Sequence, residues 1–198
     1  MDPSPVPFGR PRGERADAAR NREHLLAVAR EMLAELGAEK VTMDGLAERA
    51  GLGKGTVFRR FGTRAGIFAA LMDDTERAFQ VRVLSGPPPL GPGAGPVERL
   101  VAYGRERVDF LFEHHAILRA ALDRTRPIPA ETSMSALHIR MLLGQAGLDV
   151  ADLDTLATQL TAALEGPLLL YVAMTEESPA DERLADSWQV LVERVCRP

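Results

Sequence analysis

The chain has 198 residues, 45% of them hydrophobic, a formal net charge of −4 and a single cysteine, Cys196. That is length enough for one or two buried cores, and too little cysteine for an internal disulfide or a thiolate zinc cage. No apolar run nears the roughly 20 residues of a bilayer span, and the N-terminus lacks the basic-then-apolar pattern of a signal peptide, so the expectation is a cytoplasmic protein with no membrane partner. The charge is unevenly spread. Residues 1–64 hold 12 Lys/Arg against 9 Asp/Glu, a net of +3, while residues 65–198 hold 12 against 19, a net of −7. A basic third on an acidic body is the footprint of an orienting electrostatic surface.

Residues 1–15, rich in Pro, Gly and Arg, read as a flexible arm. Arg10, Arg12 and Arg15 fit either a solvated tail or a reach into a minor groove. A first helix is expected from about Ala18 to Leu36, where Leu25, Val28, Ala29, Met32, Leu33 and Leu36 recur at helical spacing and Gly37 stops the run. Thr42 caps a second, short helix with Leu46, Ala47 and Ala50 on one face, ended by Gly51. A third helix starts at Lys54. Val57 and Phe61 share its core side, Gly55, Phe58 and Arg59 fall opposite, and Lys54 flanks them. A helix whose outer face carries Lys, Gly and Arg packs poorly against protein but can approach a phosphate backbone and base edges closely.

Residues 63–84 form a fourth helix, with Thr63 as cap and Ile67, Phe68, Leu71, Met72, Phe79 and Val83 turned inward. The stretch Ser85–Pro96, dense in Pro and Gly, is a loop. Beyond it the pattern predicts helices near 97–113, 115–124, 130–146, 152–175 and 179–196, with Gly166-Pro167 interrupting or kinking the penultimate one. No period-two strand is visible, so the fold class is all-α. Its expected parts are the arm at 1–15, a three-helix domain at 16–62 and a larger helical domain at 63–198.

From Ala50 onward, Ala-Gly-Leu-Gly-Lys-Gly-Thr-Val-Phe-Arg-Arg-Phe follows the pattern Ala-Gly-Val-Ser-Lys-Gly-Thr-Leu-Tyr-x-His-Phe almost position by position. Over about residues 20–71 the chain resembles the helix-turn-helix DNA-binding domain of TetR/AcrR-type bacterial transcriptional regulators. The departures are few. Gly53 stands for a capping Ser, Phe58 for a Tyr whose hydroxyl commonly bonds phosphate, and Arg60 for a His. Gly45 forfeits the Glu of a capping box. The resemblance implies Lys54, Gly55, Thr56, Phe58 and Arg59 at the major groove of double-stranded operator DNA, with Thr42, Arg60 and Arg64 on phosphates. It implies a C-terminal domain for effector binding and dimerisation, and a repressor released from a palindromic operator by a small, largely apolar molecule. Effector binding would shift the 63–84 helix and so change the separation of two reading heads.

Candidate effector contacts are Tyr103, Phe110, His114, Met134, His138 and Met141, mixed polar and apolar residues on amphipathic helices that equally fit core packing. In the resembled family the last two helices pair with their copies. On that ground Leu164, Leu168, Leu184, Trp188, Leu191 and Val195 are candidate homodimer contacts, although the same stripes could close an intramolecular core. His114 and His115 are adjacent and point to different faces, so no helical metal site is expected. The chain carries no nucleophile elbow, P-loop or dinucleotide fingerprint. The expectation is no enzyme, no metal and no cofactor. Two other readings fit the residues alone: a ligand-independent or activating regulator of the same fold, and a helical small-molecule-binding protein, carrier or enzyme that does not touch DNA.

Overall fold

The computed structural model describes residues 12–121, 134–174 and 181–197. Among them are nine α-helices and no strand, which bears out the all-α class. They are α1 (Arg12–Leu36), α2 (Met43–Arg49), α3 (Lys54–Phe61), α4 (Arg64–Ser85), α5 (Pro96–Glu113), α6 (His115–Ala121), α7 (Met134–Gln145), α8 (Leu153–Met174) and α9 (Asp181–Val195). The chain forms two compact units, Met1–Leu71 and Met72–Pro198, that part inside α4 rather than at residue 62. No helix among the described residues is long and apolar enough to cross a membrane.

In the first unit α1 begins at Arg12, not near Ala18. Glu14 to Ala19 are mostly good helix formers, and Asp17 pairs with Arg20 one turn on. Arg10 and the rest of residues 1–11 lie outside the described residues. Leu25, Leu26, Val28, Ala29 and Met32 bury one face of α1, whereas Leu36 is 42% exposed at its end. Val41, Met43, Leu46 and Ala47, Val57 of α3, and Ile67, Phe68 and Leu71 of α4 complete this core. Gly51, at φ 64°, adopts the left-handed conformation that closes the α2–α3 turn, which a β-carbon would strain. Both expected caps are present: Gly45 N donates to Thr42 Oγ1 at 3.0 Å and Gly66 N to Thr63 Oγ1 at 3.1 Å.

The second unit is built around α5, which buries Leu100, Tyr103, Val108, Phe110, Leu111 and Phe112. Its core adds Phe79 and Val83, Ile139, Leu142 and Leu143 of α7, Leu160, Leu164 and Leu168 of α8, and Trp188 and Val192 of α9. The loop before α5 turns through Gly91 N donating to Pro87 O at 2.9 Å and seats Leu90 in this core. Contrary to the expected interruption, α8 runs unbroken through Pro167. Leu164 and Leu168, buried on either side of the proline, hold it in place although one backbone donor is missing. Asp152 caps α8 by accepting from Thr155 N at 2.9 Å. The expected tail of α6 beyond Ala121, the start of α7 before Met134 and the first residues of α9 at 179–180 fall outside the described residues.

Candidate functional site

Helix α3 has one fully buried side chain, Val57, with Phe61 partly buried one turn on. Most of its remaining surface is open. Lys54, Gly55, Phe58 and Arg59 are all exposed, and Thr56 is partly so. Phe58, a large apolar ring, is 49% exposed, and among the described residues Arg59 has no hydrogen bond or ion pair. Lys54 Nζ lies 3.0 Å from Asp44 Oδ2, but both groups are more than half exposed, so the pair holds the lysine weakly. Gly55 is the most telling position. A β-carbon there would meet nothing within 4 Å, and the backbone φ is not left-handed. Glycine in a helix costs roughly 0.5–1 kcal/mol against alanine, and neither packing nor backbone geometry within this unit requires it.

The phosphate candidates differ. Thr42 is exposed and spends its oxygen on the α2 cap. Arg60 donates from Nη2 to Ala18 O at 2.8 Å, clamping α3 to α1. Arg64 is largely committed to the fold: Nε donates to Val41 O at 2.8 Å, Nη2 to Ala38 O at 2.5 Å, and its guanidinium lies 5.0 Å from the Phe68 ring. Two ties of α2 to α1 have no cue in the local sequence pattern. His24 Nε2 donates to Ala50 O at 3.1 Å, and Arg49 Nη2 to Glu35 Oε1 at 2.6 Å. The latter bond draws Glu35 below its ordinary carboxylate value.

A short helix buried on one face, a left-handed glycine turn and an exposed basic helix are in place, and the sequence model described as bacterial regulatory proteins of the tetR family matches residues 25–71. The N-terminal unit is a TetR-family domain. Solved structures carry the fold of TetR-family regulators over nearly the whole chain. A TetR-family transcriptional regulator from Pectobacterium atrosepticum has a TM-score of 0.66 at 20% identity, covering 93% of this chain and 95% of that one. One from Rhodococcus sp. has a TM-score of 0.62 at 17% identity, covering 90% and 100%. Thermus thermophilus FadR, a TetR-family transcriptional repressor in complex with lauroyl-CoA, has a TM-score of 0.62 at 18% identity, covering 88% and 92%. At such identities the likeness is one of fold. No curated protein matches the chain.

In the second unit of this TetR-like fold a cavity of about 30 Å³ is lined by Glu76, Phe79, Gln80, Val83 and Leu84 of α4, Tyr103 of α5, and Met134 and His138 of α7. Tyr103, Met134 and His138 are three of the six expected effector contacts. The other three lie elsewhere. Phe110 packs in the core against Phe79 with centroids 4.9 Å apart, His114 ends α5 edge-on to Phe110, and Met141 is 38% exposed outside the lining. The α4 contribution was missed. Its cue is that Glu76 and Gln80 interrupt the face set by Phe79 and Val83.

Behind this cavity runs a buried polar chain. Tyr103 Oη donates to Ser135 Oγ at 2.8 Å, and Ser135 Oγ to Glu165 Oε1 at 2.6 Å. Arg107 Nε donates to the same Glu165 oxygen at 2.8 Å, and its Nη1 to Glu76 Oε2 at 2.7 Å. Burial raises the Tyr103 hydroxyl to about 12, so it stays protonated and donates. The chain thus ties α4, α5, α7 and α8 together. A wider depression of about 350 Å³ beside Pro87, Pro88 and Pro89 is lined by Arg82, Arg105 and Glu106. Its charges are already paired, Arg82 with Glu106 and Arg105 with Asp186.

The expected dimer contacts are in large part engaged within the single chain. Trp188 is 3% exposed in the single chain, and its Nε1 donates to Leu100 O at 2.9 Å. Leu164 and Leu168 are likewise buried, and Leu184 and Leu191 pack against the same core. Val195 is only partly buried. The leucine stripes and the indole close an intramolecular core because α9 lies along α5, whose Gly104 leaves room for the ring.

Proposed function

We propose that this chain is a dimeric transcriptional repressor that reads a palindromic operator with α3 and is released by a small, largely apolar molecule bound in its C-terminal unit. The observation that carries DNA reading is the surface of α3, where Gly55 has no packing duty and Phe58 and Arg59 stand exposed. In this reading Lys54, Gly55, Thr56, Phe58 and Arg59 meet the major groove. Thr42, Arg60 and the remaining Nη1 of Arg64 meet phosphates. The decisive variants are Gly55→Ala and Arg59→Ala, measured by DNA binding across a salt series and by thermal melting. Gly55→Ala should leave stability equal or higher by up to about 1 kcal/mol while weakening DNA binding. Arg59→Ala should lower the salt slope by about one unit. A chain that binds no DNA even at low salt would instead be a helical small-molecule-binding protein.

What supports a second copy is the outer face of α8. Beyond Asp154 this helix carries one charge, Glu165, which is turned inward to Arg107. Gln159, Ala162, Ala163 and Leu169 are exposed, and Val190 of α9 is 52% exposed. An uncharged outward surface of that length fits association with a symmetric copy. Ala163→Glu adds a charge where the monomer is open to solvent, so it should leave folding intact and shift sedimentation from dimer to monomer. A parent that sediments as a monomer at micromolar concentration would remove the dimer from this reading. Release by effector then requires different ligand affinity for two arrangements of α4, the helix that passes from one unit into the other.

A further inference from the structure

The cavity among α4, α5 and α7 is lined by one unpartnered polar group, His138, and a second, Arg99, is buried on α5 outside the lining. His138 is 8% exposed, and its Nε2 is buried with no hydrogen-bond partner. Arg99 is 9% exposed, its Nε is also buried and unpartnered, and among the described residues no carboxylate pairs with it. An uncompensated buried cation is among the costliest arrangements in a protein. Arg107, on the same helix, is met by two carboxylates.

Both orphans are close to Tyr103. Arg99 stands one turn before Tyr103 on the buried face of α5, and the Tyr103 ring lies 4.8 Å from that of His138. Burial first, and the Arg99 charge second, hold His138 down to about 4, so its imidazole is neutral near pH 7. With Nε2 protonated, His138 and Arg99 together offer donors and a positive charge to an acceptor that is not part of the chain. Glu76, which also lines the cavity, and Glu165 are both taken up by Arg107. Eight residues of helix, about 12 Å, separate Arg99 from Arg107.

We propose that Arg99 and His138 form the head-group subsite for a monocarboxylate effector with an apolar body. The carboxylate sits between the guanidinium and Nε2, a charge-assisted arrangement. The body passes Phe79 and Val83 and leaves between Leu84 and Met134, which are 59% and 48% exposed. At about 30 Å³ the cavity holds the head group alone, so the body displaces those two exposed side chains. An alcohol supplies no charge for Arg99, and an amine adds a second cation beside it. This inference rests on the reading of the C-terminal unit as effector-binding.

The test is calorimetric titration of the full chain with octanoate, octanol and octylamine. Octanoate should bind at least about tenfold more tightly than octanol, with octylamine weakest. Arg99→Met should weaken octanoate binding roughly ten- to a hundredfold, and it should raise the ligand-free melting temperature because an unpaired buried charge has gone. His138→Phe, which keeps a ring and removes Nε2, should weaken octanoate as well and serves if Arg99→Met does not fold. Octanol or octylamine binding as tightly as octanoate, no octanoate binding at millimolar concentration, or variants that keep the carboxylate preference would each overturn the assignment. DNA binding of the same preparation separates the two failures. Salt-dependent DNA binding without a carboxylate preference sinks the subsite alone, and loss of both sinks the regulator reading with it.

Discussion

Replacing Arg107 with Met should destabilise the C-terminal unit by about 3–5 kcal/mol. The guanidinium is 9% exposed and bonds Glu76 at 2.7 Å and Glu165 at 2.8 Å, with the rings of Phe79 and Phe110 at 5.6 and 5.2 Å. Methionine fills much of the volume but leaves two mostly buried carboxylates facing each other without a cation. The cost therefore comes from the partners left behind more than from the lost attraction. That origin is checkable by urea denaturation. The triple variant Arg107→Met/Glu76→Gln/Glu165→Gln should recover most of the loss, since a buried ion triad can often be exchanged for neutral groups at little cost. An Arg107→Met protein as stable as the parent would mean that the network contributes nothing to holding α4 against α5 and α8.

The second large effect is expected at Gly104. A β-carbon there would overlap the Trp188 indole at Nε1, Cδ1 and Cε2, and that ring is fixed in turn by its bond to Leu100 O. Neither helix backbone can yield cheaply, because α5 and α9 share the core on both sides of the contact. Gly104→Ala should thus cost about 3 kcal/mol. Combined with Trp188→Phe, it should cost clearly less than the sum of the single changes, because the smaller ring vacates part of the space. Strict additivity would show that the indole does not pack on Gly104.

That same contact shows where the sequence was legible and where it was not. The three-helix domain could be read closely because its cues are local: Thr42 and Thr63 cap their own helices, Gly51 breaks its own turn, and Val57 and Phe61 recur four apart on the inner side of α3. The fate of Trp188 is not local. Its spacing with Leu184 and Leu191 announces an apolar stripe, and only the position of Gly104, 84 residues earlier in the chain, decides that a helix of the same molecule covers it. The cavity was half legible for a related reason. Tyr103, Met134 and His138 are unusual enough to notice, whereas Phe79 and Val83 look like ordinary core until Glu76 and Gln80 appear on the same face. The buried isolation of Arg99 has no sequence signature at all, since exposed and buried arginines look alike until partners can be counted.

The central claim, that α3 reads an operator for a symmetric pair of chains, is tested most directly by selection from a random duplex library with the full chain, followed by affinity measurement on the enriched sequence across a salt series. The reading predicts enrichment of an inverted repeat with half-sites about one helical turn apart, bound with a steep salt dependence that Arg59→Ala reduces by about one unit. Enrichment of no sequence, with no salt-dependent binding to any duplex at low ionic strength, would contradict it.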